Sequence, residues 1–373
     1  MIDGKPVFYG VECAPNGCNW YRIKQPFLKM AEVNPFPCAS SSMLKGDEHE
    51  LWLEKADVVA TQGATSEKFL EFMKETKGKK KFILDYDDNI FAVSPFNPSY
   101  ERHGVREVDI EMPDGSVIEI RDGKNGFNIA ENKKRLFVFT ECMKNADLIT
   151  TPSPVLSGIF KRFNQNVKVI KNFIDFSIWN PLKLYKDEFI RVGYQGGWSH
   201  FEDFLLIKEA LIEVMLKYEN VKLVIMGTSY DGALRDFPKD RVQLESWTNI
   251  EAYPWKFKTL GLDIGIAPLA NTEFNTSKSE IKWEEYSALE IPCVAQNIPP
   301  YSLNIFNGDT GFLCSDSEDW VENLSLLIEA EGLRKEIGKN ARNYVFENYN
   351  LDTKISEYIN AYNGVFKKEL ILI

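Results

Sequence analysis

Histidine is scarce in this chain, three among 373 residues, and the six cysteines are scattered. No His or Cys group has the spacing of a zinc site, and only Cys13 and Cys18 stand close together. Reduced structural thiols in a cytoplasmic protein are therefore expected. No apolar run reaches the roughly 18 residues of a membrane span, and the opening MIDGKPVFYG lacks the basic and long apolar regions of a signal peptide, so a soluble cytosolic chain is expected. No internal repeat or low-complexity segment is present, and a composition 44% apolar, 27% charged and 13% aromatic excludes a disordered or fibrous protein. Positive charge is also short. Residues 1–170 carry 23 Lys+Arg against 24 Asp+Glu, whereas residues 171–373 carry 21 against 31. The acidic second half is unsuited to gripping a nucleic-acid backbone, and the near-neutral first half leaves that question open.

What is present is an alternation of short apolar runs with amphipathic stretches, which indicates parallel sheets with helices on both faces. The length allows two such domains. The first opens with the strand PVFYGVEC, a loop containing Gly17, and a helix beginning near Arg22. Loops at the carboxyl ends of parallel strands are where such folds bind ligands; Gly17 either lets a ligand approach the backbone or only makes a turn, and Arg22 suits an anionic group. Gly10 and Gly17 alone do not make a dinucleotide fingerprint.

Asp85, Asp87 and Asp88 crowd the end of a later strand, where they orient an acceptor hydroxyl, hold a divalent metal, or cap the following turn. Residues from about 101 to 126 interrupt the rhythm with strand, Pro-Asp-Gly turn and strand, a hairpin preceded by a loop with His103. Such an insert is either a site of acceptor specificity or a surface embellishment.

The second half repeats the pattern. After Ile190 comes a strand, then Gly196 and Gly197, which free the backbone for close approach to phosphate, then His200, a phosphate contact or a helix-start residue. The stretch from Asp263 to Pro300 reads as a buried strand, a polar loop, a helix from about Ser277 and a second strand. Ser277 followed by Glu280 has the spacing of a capping box. Helical spacing puts Lys278, Lys282 and Glu285 on one face and turns Ile281, Ala288 and Leu289 inward. A helix start with two lysines suits a diphosphate, and Glu285 can accept from a ribose or sugar diol. The alternative is an ordinary solvated face built from Lys278, Glu280, Lys282 and Glu284.

The segment WEEYSALEIPCVA, with its preceding strand and loop, resembles the nucleotide-sugar signature of retaining glycosyltransferases of family 4. That family carries two glutamates separated by seven residues. Glu285 matches the second; Ser277 stands in place of the first, so the resemblance leaves Ser277 or Lys278 to take over part of its role. Glu290 stands where a glycine is usual. The Gly196–Gly197 loop lacks the family's usual Arg and Lys, which gives Lys278 and Lys282 more weight. Tyr21-Arg22 is similar to the pair that begins the family's first helix, and Lys171 to Asp175 resemble its interdomain segment.

The resemblance implies a GT-B fold: α/β, two Rossmann-like domains facing a cleft, with C-terminal helices crossing back. It implies an acceptor domain over 1–172, a donor domain over 173–345 and a returning helix over 346–373. Trp247 and Thr248 are the candidates for touching the base, with a core role open for Trp247. Asp87 and Asp88 are the catalytic candidates. The implied reaction moves a sugar from a nucleoside diphosphate donor, UDP foremost, to a hydroxyl with retention, and needs no cofactor or metal, although the aspartates leave a divalent ion open. The acceptor is a saccharide or lipid-linked glycan, or alternatively a hydroxymethylated base in DNA tracked by Lys74, Lys77, Lys79, Lys80 and Lys81 with Lys133, Lys134 and Arg135. A nucleotide-binding protein that has lost catalysis is the rival from another class.

Overall fold

The computed structural model describes residues 5–33, 37–44, 47–64, 66–112, 115–182, 188–228, 230 and 232–366. Residues 113–114 of the expected hairpin turn, 183–187, and 367–373 of the expected returning helix lie outside these.

Two six-stranded parallel sheets form the frame. The first contains β1 (Phe8–Val11), β2 (Cys38–Ser40), β3 (Val58–Gln62), β4 (Lys81–Asp85), β7 (Leu148–Thr151) and β8 (Val167–Val169), in the order β2-β1-β3-β4-β7-β8. The second contains β9 (Ile190–Gly196), β10 (Val221–Gly227), β11 (Val242–Ser246), β12 (Ile264–Ala267), β13 (Cys293–Gln296) and β14 (Phe312–Cys314), in the order β11-β10-β9-β12-β13-β14. β7, β12 and β13 are buried at every position. Burial on both faces demands continuous apolar runs, which is how these strands read in the sequence. Strand order reverses direction beside β1 and beside β9, and crevices open at such points at the carboxyl ends of the strands.

The two units are linked where the chain returns past Asn350. Ile174 bridges to the chain at Asn350, its N–H donating to the Tyr349 carbonyl at 2.8 Å and its own carbonyl accepting from Leu351 at 3.0 Å. Beyond that crossing the helix Leu351–Asn363 buries Leu351, Ile355, Tyr358 and Tyr362 against Phe8, Ile23 and Phe27 of the first unit.

The insert is a separate antiparallel pair, β5 (Val108–Glu111) with β6 (Val117–Ile120), and of its strand residues only Ile110 is buried. His103 ends the helix Tyr100–His103 instead of lying in a loop. Around the insert, Val93, Tyr100 and Phe127 form a small core with Phe274 of the second unit.

The expected helix start at Ser277 is displaced. A short helix spans Glu273–Thr276, capped by the Thr272 side chain, and Ser277 closes it. The next helix runs Ile281–Ala288. Glu280 and Glu284, expected on a solvated face, are 1% and 0% exposed. Glu280 is held by Lys171 at 2.5 Å and Tyr349 at 3.0 Å. Helix Glu331–Tyr349 packs over the other side of Ile281–Ala288 and supplies this cover. Ile281, expected inside, is only partly buried and faces the cleft.

Just past that helix, Glu290 has a φ of +60°, a left-handed residue of the kind that glycine usually supplies after a helix C-terminus. A Cβ in that conformation costs about 1–2 kcal/mol. Glu290→Gly is therefore expected to stabilise the protein by about 1 kcal/mol, since only a loose ion pair with Arg342 at 3.7 Å is given up. An unchanged or lowered urea midpoint would contradict this.

Candidate functional site

Six segments converge on one cavity of about 250 Å³, each from the carboxyl end of a strand, Asn172 after β8 among them. From the first unit come Gly17, Cys18, Tyr21 and Arg22 after β1, and Asp87 after β4. From the second come Gly196, Gly197 and His200 after β9, Trp247 and Tyr253 after β11, and Lys282 and Glu285 from the helix after β12.

Entry to the first helix is set by Asn16, whose side chain accepts from the Asn19 N–H at 3.0 Å. The next stretch, Trp20–Lys24, is π-helical. The widened turn buries Tyr21, Arg22 and Ile23 together, a local irregularity of the sort often met at functional sites. Tyr21 crosses the cleft and donates to Glu285 Oε1 at 2.8 Å. Gln195 Nε2 donates to Oε2 at 2.7 Å, and the Tyr253 hydroxyl lies 2.6 Å from the same oxygen. Burial pushes the Glu285 carboxyl above the ordinary carboxylate range, against the pull of these donors and of Lys282. Glu285 is thus a fixed acceptor at the cavity wall, 4% exposed.

Lys282 Nζ sits 3.2 Å from Nε2 of His200, whose Nδ1 is 2.7 Å from Asp203. Asp203 is itself anchored by the Ala270 N–H at 2.8 Å and Asn275 Nδ2 at 2.9 Å. Burial, with help from Lys282 and Lys278, drives His200 down to about 3, so its ring is neutral, Nδ1–H donates to Asp203, and Nε2 accepts from Lys282. Lys282 is brought down to about 8 by burial and then by Lys278. The arrangement puts one ammonium, held by a neutral imidazole, in the cavity that the Gly196–Gly197 turn also lines. Trp247 stacks on Tyr253 with ring centroids 5.3 Å apart and stays 52% exposed, which removes the core reading for it.

Asp87 accepts from Gln62 Nε2 at 2.6 Å, and burial together with Asp88 raises its carboxyl. Asp85 does not join it: Asp85 is gripped by Arg22 and by the Thr150 hydroxyl at 2.6 Å. Arg22, expected to offer its charge to an anion, has its guanidinium engaged by Asp85, the Ile170 carbonyl at 2.6 Å and Asn172. Asp88 is half-buried beside Asp87 but does not line the cavity, nor does Thr248. Ser277 is fully buried, its hydroxyl donating to the Phe274 carbonyl at 2.7 Å. Lys278 lies outside the helix with its ammonium 4.8 Å from the Phe274 ring centre, so the expected face of Lys278, Lys282 and Glu285 keeps its last two members. Gln195, Tyr253 and Ser279 also line the cavity, and no local pattern in the sequence singled them out; Asn172, from the stretch that resembles an interdomain segment, lines it too.

No family model matches the chain. Trehalose synthases of Thermococcus litoralis and Pyrococcus furiosus are 30% identical to it over 91 residues, 24% of this chain and 21% of theirs, so the match spans about a fifth of those relatives. Among solved structures, TarM superposes with a TM-score of 0.57 at 17% identity over 82% of this chain and 54% of TarM, so the chain spans about half of that protein. A glycosyltransferase from Rickettsia africae gives 0.62 at 12% identity over 98% and 99% of the two chains. Anabaena HepE, solved with UDP, gives 0.60 at 12% over 95% and 100%. Likeness over whole chains at such low identity is likeness of architecture, and together with the two facing parallel sheets it shows that this chain has the GT-B fold of glycosyltransferases.

Proposed function

We propose that the chain transfers a sugar from a nucleoside diphosphate donor, UDP foremost, to an acceptor hydroxyl with retention at the anomeric carbon. The observation that carries this reading is the meeting of Gly196–Gly197, Lys282, Glu285 and Trp247 in one cavity opposite Asp87. Backbone N–H groups at the glycine turn and the Lys282 ammonium receive the diphosphate. Exposed Trp247 stacks on the base, and Glu285 accepts from the donor's hydroxyls. The bond from the sugar's anomeric carbon to the diphosphate oxygen breaks with its electron pair leaving on the diphosphate. The acceptor oxygen bonds to that carbon, and its proton passes to Asp87, with Asp88 the second candidate. HepE bound to UDP and UDP-glucose, and S. aureus TarM bound to UDP and α-GlcNAc-glycerol, support a nucleotide-sugar donor and a saccharide-type acceptor here. In this reading residues 1–172 hold the acceptor, 173–345 the donor, and 346–373 return to the first domain.

The basic run that suggested modified DNA sits elsewhere. Lys81 begins β4, so the run lies at the opposite end of the sheet from the cleft. Lys80 donates to the Glu54 and Ala56 carbonyls, Lys81 pairs with Asp147, and Lys134 with Glu67. A saccharide or lipid-linked acceptor is the reading kept. Among the described residues no helix is long and apolar enough to cross a membrane.

Slow hydrolysis of a UDP-sugar, followed by NMR without acceptor, is the expected activity. Asp87→Asn should reduce it by about 10²–10⁴-fold while UDP affinity is retained. UDP binding with no hydrolysis in the parent protein would favour the non-catalytic nucleotide-binding reading.

A further inference from the structure

A second cavity, about 320 Å³, lies between the hairpin insert and the second domain, lined by Phe96, Met112, Ile118, Ile120, Phe127 and Trp198 among others. Apolar side chains make up most of its surface, and two of its polar lining groups are engaged with their own neighbours. Asn97 Oδ1 accepts from the Ser99 N–H at 2.9 Å, and Arg121 holds Asp109 and the Val108 carbonyl. An occupant therefore gains chiefly from burying apolar surface. Two of the walls are unusually open for large apolar side chains: Ile118 is 48% exposed and Trp198 47%. Val117, one residue along β6 and so on the hairpin's other face, is 56% exposed as well.

Position ties this cavity to the donor site. Trp198 stands between Gly197 and Ser199, both of which line the donor cavity. The segment before the insert is fixed to the second domain at this place, with Ser94 Oγ donating to Glu202 at 2.7 Å, and Phe96 and the insert's Met112 pack on the second core. An occupant that reaches past Trp198 meets the turn that lines the donor cavity.

We infer that the cavity under the hairpin takes the aliphatic chain of an amphiphilic, lipid-linked acceptor and delivers the head-group hydroxyl to the donor cavity. This rests on the donor-site reading above. The test is calorimetry with a series of n-alkyl glucosides below their micelle concentrations, with UDP titrated separately. Affinity should rise about fourfold per methylene in the parent until the cavity is filled. The rise should flatten in Ile118→Glu and in Trp198→Ala, both substitutions at half-exposed positions that the fold tolerates, and UDP affinity should be unchanged in Ile118→Glu. A flat chain-length series in a parent that still binds UDP would overturn the inference and leave the donor site standing. A chain-length series that persists in a parent unable to bind UDP would uphold the cavity and sink the donor reading instead.

Discussion

Replacing Arg22 by alanine is expected to cost about 3–5 kcal/mol of stability, because it leaves the Asp85 carboxylate buried without its cation. Both side chains are 1% exposed. The guanidinium donates through Nε at 3.0 Å and Nη2 at 2.8 Å to the two oxygens of Asp85, and its Nη1 reaches the Ile170 carbonyl. Burial works against the charge on Arg22 and Asp85 outweighs it, so the group stays protonated at every accessible pH. The pair ties the helix after β1 to the ends of β4 and β8, three elements of one sheet, so its loss loosens the wall that carries Tyr21 and Asp87. A cost of that size is a large share of the stability of an ordinary protein. Urea unfolding should show a lower midpoint for Arg22→Ala and a much smaller loss when Arg22→Met is combined with Asp85→Leu, since an apolar pair of similar volume replaces the ions at little cost. A single variant as stable as the parent would remove the structural role assigned to this pair.

Arg22 also marks the limit of what the sequence reveals. Its helix, the loop before it and the aspartates after β4 are all legible, because each is a local pattern of apolar runs, glycine and turn chemistry. That Arg22 and Asp85 consume one another is not, since 63 residues separate them and only the parallel pairing of β1, β3 and β4 brings them together. The same holds for Glu285. Its place on a helix facing the cleft follows from spacing, but its three partners come from Tyr21, Gln195 and Tyr253 on separate elements. At Ser277 the capping-box spacing is real and still misleads. Thr272 caps a shorter helix first, which uses Ser277 as its terminus, and the main helix begins four residues later at Ile281. Glu280 and Glu284 read as surface because charge on an amphipathic pattern is usually solvated. Only the return of the chain through Glu331–Tyr349 covers them, and both oxygens of Glu284 lack a hydrogen-bond partner among the described residues.

Lys282→Ala is expected to weaken UDP binding by roughly 10- to 150-fold, the loss of a charged hydrogen bond to the ligand. Lys282 lines the cavity on the second-domain side, whereas Lys278 stands off over Phe274, so Lys278→Ala should cost at most about fivefold, as a nearby solvated charge does. The difference between the two variants separates a direct contact from a general positive field. pH supplies a second reading with a defined sign. In the free protein Lys282 is brought down to about 8, first by burial. A diphosphate favours its charged form and raises that value in the complex, so binding takes up a proton once the pH exceeds about 8. Affinity for UDP should hold between pH 7 and 8 and then fall by up to about tenfold per unit above that. In Lys282→Ala this alkaline fall should vanish. The variant also removes one of the cations that hold His200 at about 3, so its imidazole gains a proton more easily and part of the lost affinity should return toward acid pH. Calorimetric titrations of UDP from pH 5 to 10 on the parent and both variants decide the matter: an alkaline fall that survives in Lys282→Ala would assign the titrating group, and the seat of the diphosphate, to another residue.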